Sequence, residues 1–325
     1  MSVRLLLFIA GCASGPGTGS GDTENTGTED SATTSALRDL VVDYGALEGG
    51  EVRFFSPVYE IPPYTDVTWC AIGTWTGATM GVTQLLPHQG DFGHHLQLNA
   101  LNDLPDAPAD GEFLPCEDLG ELDGGNLYRP AESLRGGQVV GGLPDGMAMY
   151  LPTGQRWIMQ SHYINTTADR LRVQDAIDAQ TLAADAVGEW VAAFVMGTDA
   201  LEIGSGRVAV RSECIWDAEA HFLSFSAHMH DHGVAFLFEM DQGGGWQTLY
   251  ETAVWEDSWA NAPETLLFEK GAFPVAVGDR FAVTCTWEND SGETLRFPSE
   301  MCNVQGLFYS SQSNYTCNVT EPERL

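Results

Sequence analysis

Positive charge is what this chain most lacks. Among 325 residues there are 14 Lys and Arg against 46 Asp and Glu, and Lys270 is the only lysine. The net charge of −32 repels phosphate backbones, which argues against nucleic-acid binding. It favours solubility and says little about fold. Long apolar runs are also missing: no stretch after Cys12 is long and apolar enough to span a membrane. A polar segment without apolar periodicity runs from Ala13 to Ala36, mostly Gly, Ser, Thr, Asp and Glu. Such a segment cannot bury enough surface to order itself, so a flexible, disordered tether is expected there.

What remains is enough for a core. Hydrophobic residues make up 43% of the chain, and the length suits one large domain or two of ordinary size. Arg4, the run Leu5-Leu6-Leu7-Phe8-Ile9 and the small Ala10-Gly11 precede Cys12. A basic start, an apolar stretch and small residues before a cysteine read as an export signal. Ile9-Ala10-Gly11-Cys12 resembles a bacterial lipobox, which would make Cys12 the lipidated N-terminus. A chance cysteine in an ordinary signal peptide would look the same. The expectation is an exported envelope lipoprotein, held to the periplasmic or outer-membrane surface only through Cys12. The six other cysteines, Cys70, Cys116, Cys214, Cys285, Cys302 and Cys317, are an even number in an exported chain, which favours disulfides.

From Leu37 onward, short runs rich in Val, Phe, Trp, Tyr and Thr alternate with Gly, Pro and Asp clusters. Glu51-Val52-Arg53-Phe54-Phe55 and Val234-Ala235-Phe236-Leu237-Phe238 are examples. With 36 glycines, this predicts an all-β sandwich or jelly roll. Asp169 to Val187 resists that reading: rich in Ala, Asp and Leu, it would pass for a helix on propensity, and its structure is left open. It lies between two well-marked halves. Residues 1–12 are therefore read as the signal, 13–36 as the linker, and 37–186 and 187–325 as two domains.

Eight histidines cluster. On a strand over Phe222 to Met229, successive side chains face opposite ways. Leu223, Phe225, Ala227 and Met229 then share one face, and Ser224, Ser226, His228 and His230 the other. Two imidazoles one step apart can chelate copper, zinc, iron or nickel. An exposed polar strand face that happens to carry histidines would show the same pattern. His94 and His95 are adjacent and would point apart on a regular strand. Chelation by both needs a bulge or a strand end, which Gly90-Asp91-Phe92-Gly93 allows. His162 alone carries no signal. His232, between Asp231 and Gly233, is expected in a turn.

Taken in order, these fragments stop being independent. Ile61-Pro62-Pro63-Tyr64 leads to Thr68-Trp69-Cys70, then to His94-His95, a Leu143-Pro144-Asp145-Gly146 turn and Gln160-Ser161-His162-Tyr163. Cys214, His228-Met229-His230, Cys285 and Ser299-Glu300-Met301-Cys302-Asn303 follow. The series resembles the copper type II, ascorbate-dependent monooxygenases, from about Val52 to Cys317. The resemblance implies two tandem antiparallel β-sandwich, jelly-roll-like domains and two coppers per chain. It implies that His94, His95 and His162 bind the first copper, and that His228, His230 and Met301 bind the second, where the chemistry occurs. A thioether is soft and suits Cu(I). The implied reaction hydroxylates a C–H bond of a small organic substrate with O₂ and a reductant such as ascorbate. A non-catalytic envelope copper-binding protein is the alternative.

Six cysteines allow fifteen pairings, and only the resemblance selects Cys70–Cys116, Cys214–Cys317 and Cys285–Cys302. Further bridges found in the first domain of the family's peptide-hydroxylating branch are absent here. That branch also holds a peptide carboxylate with an Arg two positions before the His-x-His and has a Tyr four positions after the Met. This chain has Ser226 and Gln305 there, although Asn303 matches. Ser226 cannot form a charged fork with a carboxylate, so a glycine-terminated peptide is not the expected substrate.

Overall fold

The computed structural model describes residues 36–41, 43–47, 49–101, 108–119, 142–256, 259, 263–297, 299–309, 311 and 313–325. Cys12, the signal and all but the last residue of the linker lie outside the described residues.

The chain is all-β. The named helical turns are Cys116–Leu119 and Ala184–Ala186, both 3-10, and Trp259 is the one further described residue in 3-10 conformation. No helix there is long and apolar enough to cross a membrane. The largest sheet runs in the order Thr265–Leu267, Ala220–His228, Cys302–Tyr309, Glu189–Thr198, Met147–Leu151, Met80–His88, Ala176–Ala183, Glu51–Phe55. It crosses the expected boundary between the halves. The join is a parallel pairing of Glu189, Trp190 and Val191 with Met147, Ala148 and Met149.

A smaller sheet packs on each end of this one. In the first half it is Gly93–Leu101, Arg156–Asn165, Thr65–Thr74 and Phe113–Pro115. Leu96, Leu98, Ala71 and Met159 from it meet Phe54, Val82, Met149 and Ile177 of the large sheet in one buried cluster. In the second half it is Gln247–Thr252, Gly233–Asp241, Arg280–Asn289, Gly206–Ile215 and Glu323–Arg324. There Phe236, Phe238, Phe281 and Trp287 meet Phe194, Phe222, Phe225 and Val304. Each half is thus a sandwich whose inner faces carry the alternate apolar residues of both sheets.

The stretch that reads as helical is mostly strand. Arg170–Val173 and Ala176–Ala183 are both extended. Ile177 and Ala179 are fully buried, because Ala176–Ala183 pairs on both edges, with Glu51–Phe55 and with Met80–His88. Two ladders of backbone hydrogen bonds and a buried face outweigh a weak helix propensity. The 3-10 turn Ala184–Ala186 closes the stretch.

All three implied disulfides are formed: Cys70–Cys116, Cys214–Cys317 and Cys285–Cys302. They fit an oxidising, exported environment.

Candidate metal centres

The first histidine group sits on the outer face of the small first-half sheet. Strand Arg156–Asn165 lies between Thr65–Thr74 and Gly93–Leu101, with Thr68 and His95 both opposite His162. The register slips between Gly93 and His95, so His94 is the extra residue of a bulge. A tight turn feeds it: Gly93 N–H donates to the Gly90 carbonyl at 3.0 Å, and Phe92 takes the unusual φ of 70°. The bulge breaks the strict alternation of adjacent residues, as chelation by a His-His pair requires. The His94 ring meets the His162 ring edge-on, with centroids 4.7 Å apart. The side chain of His95 lies outside the described residues. Gln160, two residues before His162 and in register with Cys70, is buried, with no hydrogen-bond partner for its Nε2.

His162 is buried, and its Nε2 lies 2.5 Å from Asp66 Oδ1. Asp66 sits two residues from Thr68 along its strand, so it is the diagonal same-face neighbour of His162. Nothing local in the sequence marks this pair, which is 96 residues apart. With Nε2 engaged by a carboxylate, a lone pair offered to a metal has to come from Nδ1.

Behind the same strand, Tyr163 and Tyr59 donate to the carboxylate of Asp175 at 2.6 and 2.8 Å. Asp175 is fully buried. Burial pushes its carboxyl above the ordinary aspartate range, against the pull of the Tyr163 and Tyr59 phenols. Three segments are tied together at this point: Tyr59–Ile61, Arg156–Asn165 and the approach to Ala176–Ala183.

The second group is built at the end of strand Ala220–His228. Its partner strand Cys302–Tyr309 places Asn303 opposite His228 and Gln305 opposite Ser226. The alternation expected from the sequence holds for Phe225, Ala227 and Met229, which face the second-half core. It fails at Leu223, which joins the first-half core, because the register shifts between Phe222 and Ser224. His230 lies just beyond the strand, and His232 in the turn that follows.

The Nε2 atoms of His228 and His230 stand 3.2 Å apart. His230 Nδ1 is 3.0 Å from the Ser299 carbonyl oxygen. A carbonyl only accepts, so the Nδ1–H donates and the Nε2 lone pair faces His228. Two imidazole nitrogens this close either share one proton or share one metal, since two ligands at about 2.0–2.1 Å from a metal span such a gap.

Met301 is buried, and Asn303 Nδ2 lies 3.9 Å from its sulfur. Gln305 Nε2 donates to Asn303 Oδ1 at 2.8 Å. The thioether therefore sits beside Asn303, which is itself opposite His228, and the Cys285–Cys302 bridge pins the next residue.

Glu300 holds the two loops together. Its buried carboxylate accepts from His230 N at 3.2 Å, His232 N at 2.9 Å and Trp287 Nε1 at 3.0 Å. Glu300 was legible only as part of the Glu-Met-Cys run. Its partners became visible with the fold.

Among the described residues, no three of His, Cys, Asp or Glu converge as a metal cluster. The first site's third side chain is outside that set, and the second site's third donor is a thioether. The donors that are described fit a metal: converging nitrogens, outer-shell acceptors on His162 and His230, and a buried sulfur.

No family model matches the chain, and no curated protein matches it. Among solved structures, it is similar to PNGase F, a glycosylasparaginase from Flavobacterium meningosepticum. The two are 8% identical with a TM-score of 0.28, over 90% of this chain and 97% of that one. A likeness at that level carries no argument about fold or function.

Proposed function

We propose that this protein is an exported copper-dependent monooxygenase of the copper type II, ascorbate-dependent kind, hydroxylating a C–H bond of a small organic substrate. One observation carries the reading: the Nε2 atoms of His228 and His230 converge at 3.2 Å, and the buried Met301 sulfur lies by Asn303, the strand partner of His228. Two imidazoles and a thioether are a donor set for copper that cycles to Cu(I). Bound copper would supply one-electron chemistry and O₂ activation. His94, His95 and His162 would hold one ion, and His228, His230 and Met301 the other. The formation of the three disulfides that the resemblance implies supports the same reading. The lipid anchor at Cys12 belongs to this proposal as well.

The chain's own residues do the positioning. Ser299 orients the His230 ring through its carbonyl. Asn303 stands between Gln305 and the Met301 sulfur. On the face that carries His228, Ser226 has Gln305 on one side and Thr265 on the other. This row is polar and uncharged, which suits a neutral or cationic substrate in an acidic protein.

The test is O₂ uptake by copper-loaded protein with ascorbate and a panel of neutral and cationic aryl compounds. Reductant-dependent uptake matched by a hydroxylated product is expected, and Met301→Ile should abolish it. Copper binding with no uptake on any substrate would reduce the protein to a copper carrier.

A further inference from the structure

We infer that Asp66 is a positioning residue for the first copper, and that its carboxylate lowers the potential of that site. The inference rests on the copper reading above and assigns a role to a residue outside the six ligands.

One imidazole of each group has a described outer acceptor, and the two acceptors differ. At His162 the outer acceptor is a carboxylate, Asp66 Oδ1, 2.5 Å from Nε2. At His230 it is a neutral peptide carbonyl, that of Ser299, 3.0 Å from Nδ1. Both acceptors fix a ring tautomer, and only one carries a full negative charge. A carboxylate behind an imidazole makes the ring a stronger donor and favours the more highly charged state of its metal. The buried thioether of Met301 acts in the opposite sense at the second site, since soft sulfur favours Cu(I). The Asp66 carboxylate would therefore lower the potential of a copper held by His162.

The geometry that delivers Asp66 is rigid. Asp66 and His162 sit on adjacent antiparallel strands in regular register from Thr65 opposite Asn165 to Thr74 opposite Arg156. The Cys70–Cys116 bridge ties the same strand down four residues away. His162 has 5% of its side chain exposed and Asp66 41%. The charge is therefore partly solvated and costs little to keep, while the ring it holds is not free to turn.

The experiment compares wild type with Asp66→Asn, a shape-conserving change at a half-exposed position. Three quantities are read: the imidazole tautomers of the copper-free protein by ¹⁵N NMR, the copper affinity of each site by competition, and the midpoint potential of each site by EPR-monitored titration. In wild type, His162 should appear as the Nε2–H tautomer. In Asp66→Asn the first site should lose about 10–100-fold in affinity and its potential should rise. The second site should keep both values. A potential shift confined to one site is not what general loosening of the fold would give. Two bound coppers with unchanged first-site affinity and potential in Asp66→Asn would overturn this inference alone. A wild-type protein that binds no copper sensitive to His94→Ala would overturn the copper reading, and this inference with it.

Discussion

The carboxylate of Glu300 accepts the main-chain N–H of His230 at 3.2 Å, across 70 residues of sequence. The residue before Met301 thus holds the backbone of the residue that would share its metal. Its other oxygen takes the N–H of His232, and Trp287 completes the set. Glu300→Ala removes all three hydrogen bonds at once. Hydrogen bonds to a charged group are worth about 1.5–3 kcal/mol each; removing the buried carboxylate also relieves its desolvation, so a net stability loss of roughly 3 kcal/mol or more is expected. Urea unfolding reads the loss. Copper counting should show the second site emptied and the first retained. A variant that unfolds normally and keeps both coppers would remove Glu300 from the site.

The two histidine groups should behave as independent sites. Copper-loaded protein lacking residues 1–36 is expected to hold two ions. His94→Ala should release one and leave the other, and His228→Ala should release the complementary one. Loss of the same ion from both variants would dissolve the two-site assignment.

Asp175 should leave a mark on the pH dependence of stability. Its native carboxyl is raised above the ordinary value of 3.8 by burial, against the Tyr163 and Tyr59 phenols. The folded protein therefore keeps this proton at pH values where the unfolded chain has lost it. Folding takes up a proton in that window, and stability falls as pH rises from the ordinary value through the raised one. Asp178 works in the opposite sense. Burial raises it, but Arg53 and His88 outweigh that and hold it low, so its contribution is lost as pH falls. The clean measurement is the difference between wild type and Asp175→Asn by urea unfolding from about pH 4 to about pH 8. Wild type should lose ground to the variant as pH rises. A flat or rising difference would mean that Asp175 is not held protonated.

Substrate choice should follow the uncharged row beside His228. A peptide carboxylate needs a fixed cation, and removing such a contact costs roughly 2–5 kcal/mol. Ser226 and Gln305, at the positions where the resemblance implies that cation and its aromatic companion, face each other across the strand pair. In a competition assay with ascorbate, neutral or cationic aryl compounds should be turned over in preference to a glycine-extended peptide. Efficient hydroxylation of the peptide alone would show that an arginine elsewhere has taken the role.

Much of this protein was legible in the order of its residues. Period-two apolar runs between Gly, Pro and Asp clusters declare strands, because alternation is a property of the local chain. Gly-Asp-Phe-Gly before the His-His pair allows a bulge or a strand end for the same local reason, and the register slip at His94 makes it a bulge. The disulfide partners were legible only through resemblance, since spacing alone leaves every pairing open. The tertiary structure decided the rest. Asp169 to Val187 became mostly strand because Ala176–Ala183 found a partner on each edge. The two halves share one sheet because Glu189–Val191 lies beside Met147–Met149. Asp66 reached His162, and Glu300 reached His230 and Trp287, only through pairings made across the fold. Local propensity is worth a few tenths of a kcal/mol per residue, whereas a buried hydrogen-bonded carboxylate or a doubly paired strand is worth several times that. Where the two conflict, the distant partner determines the outcome, and no window of sequence contains that partner.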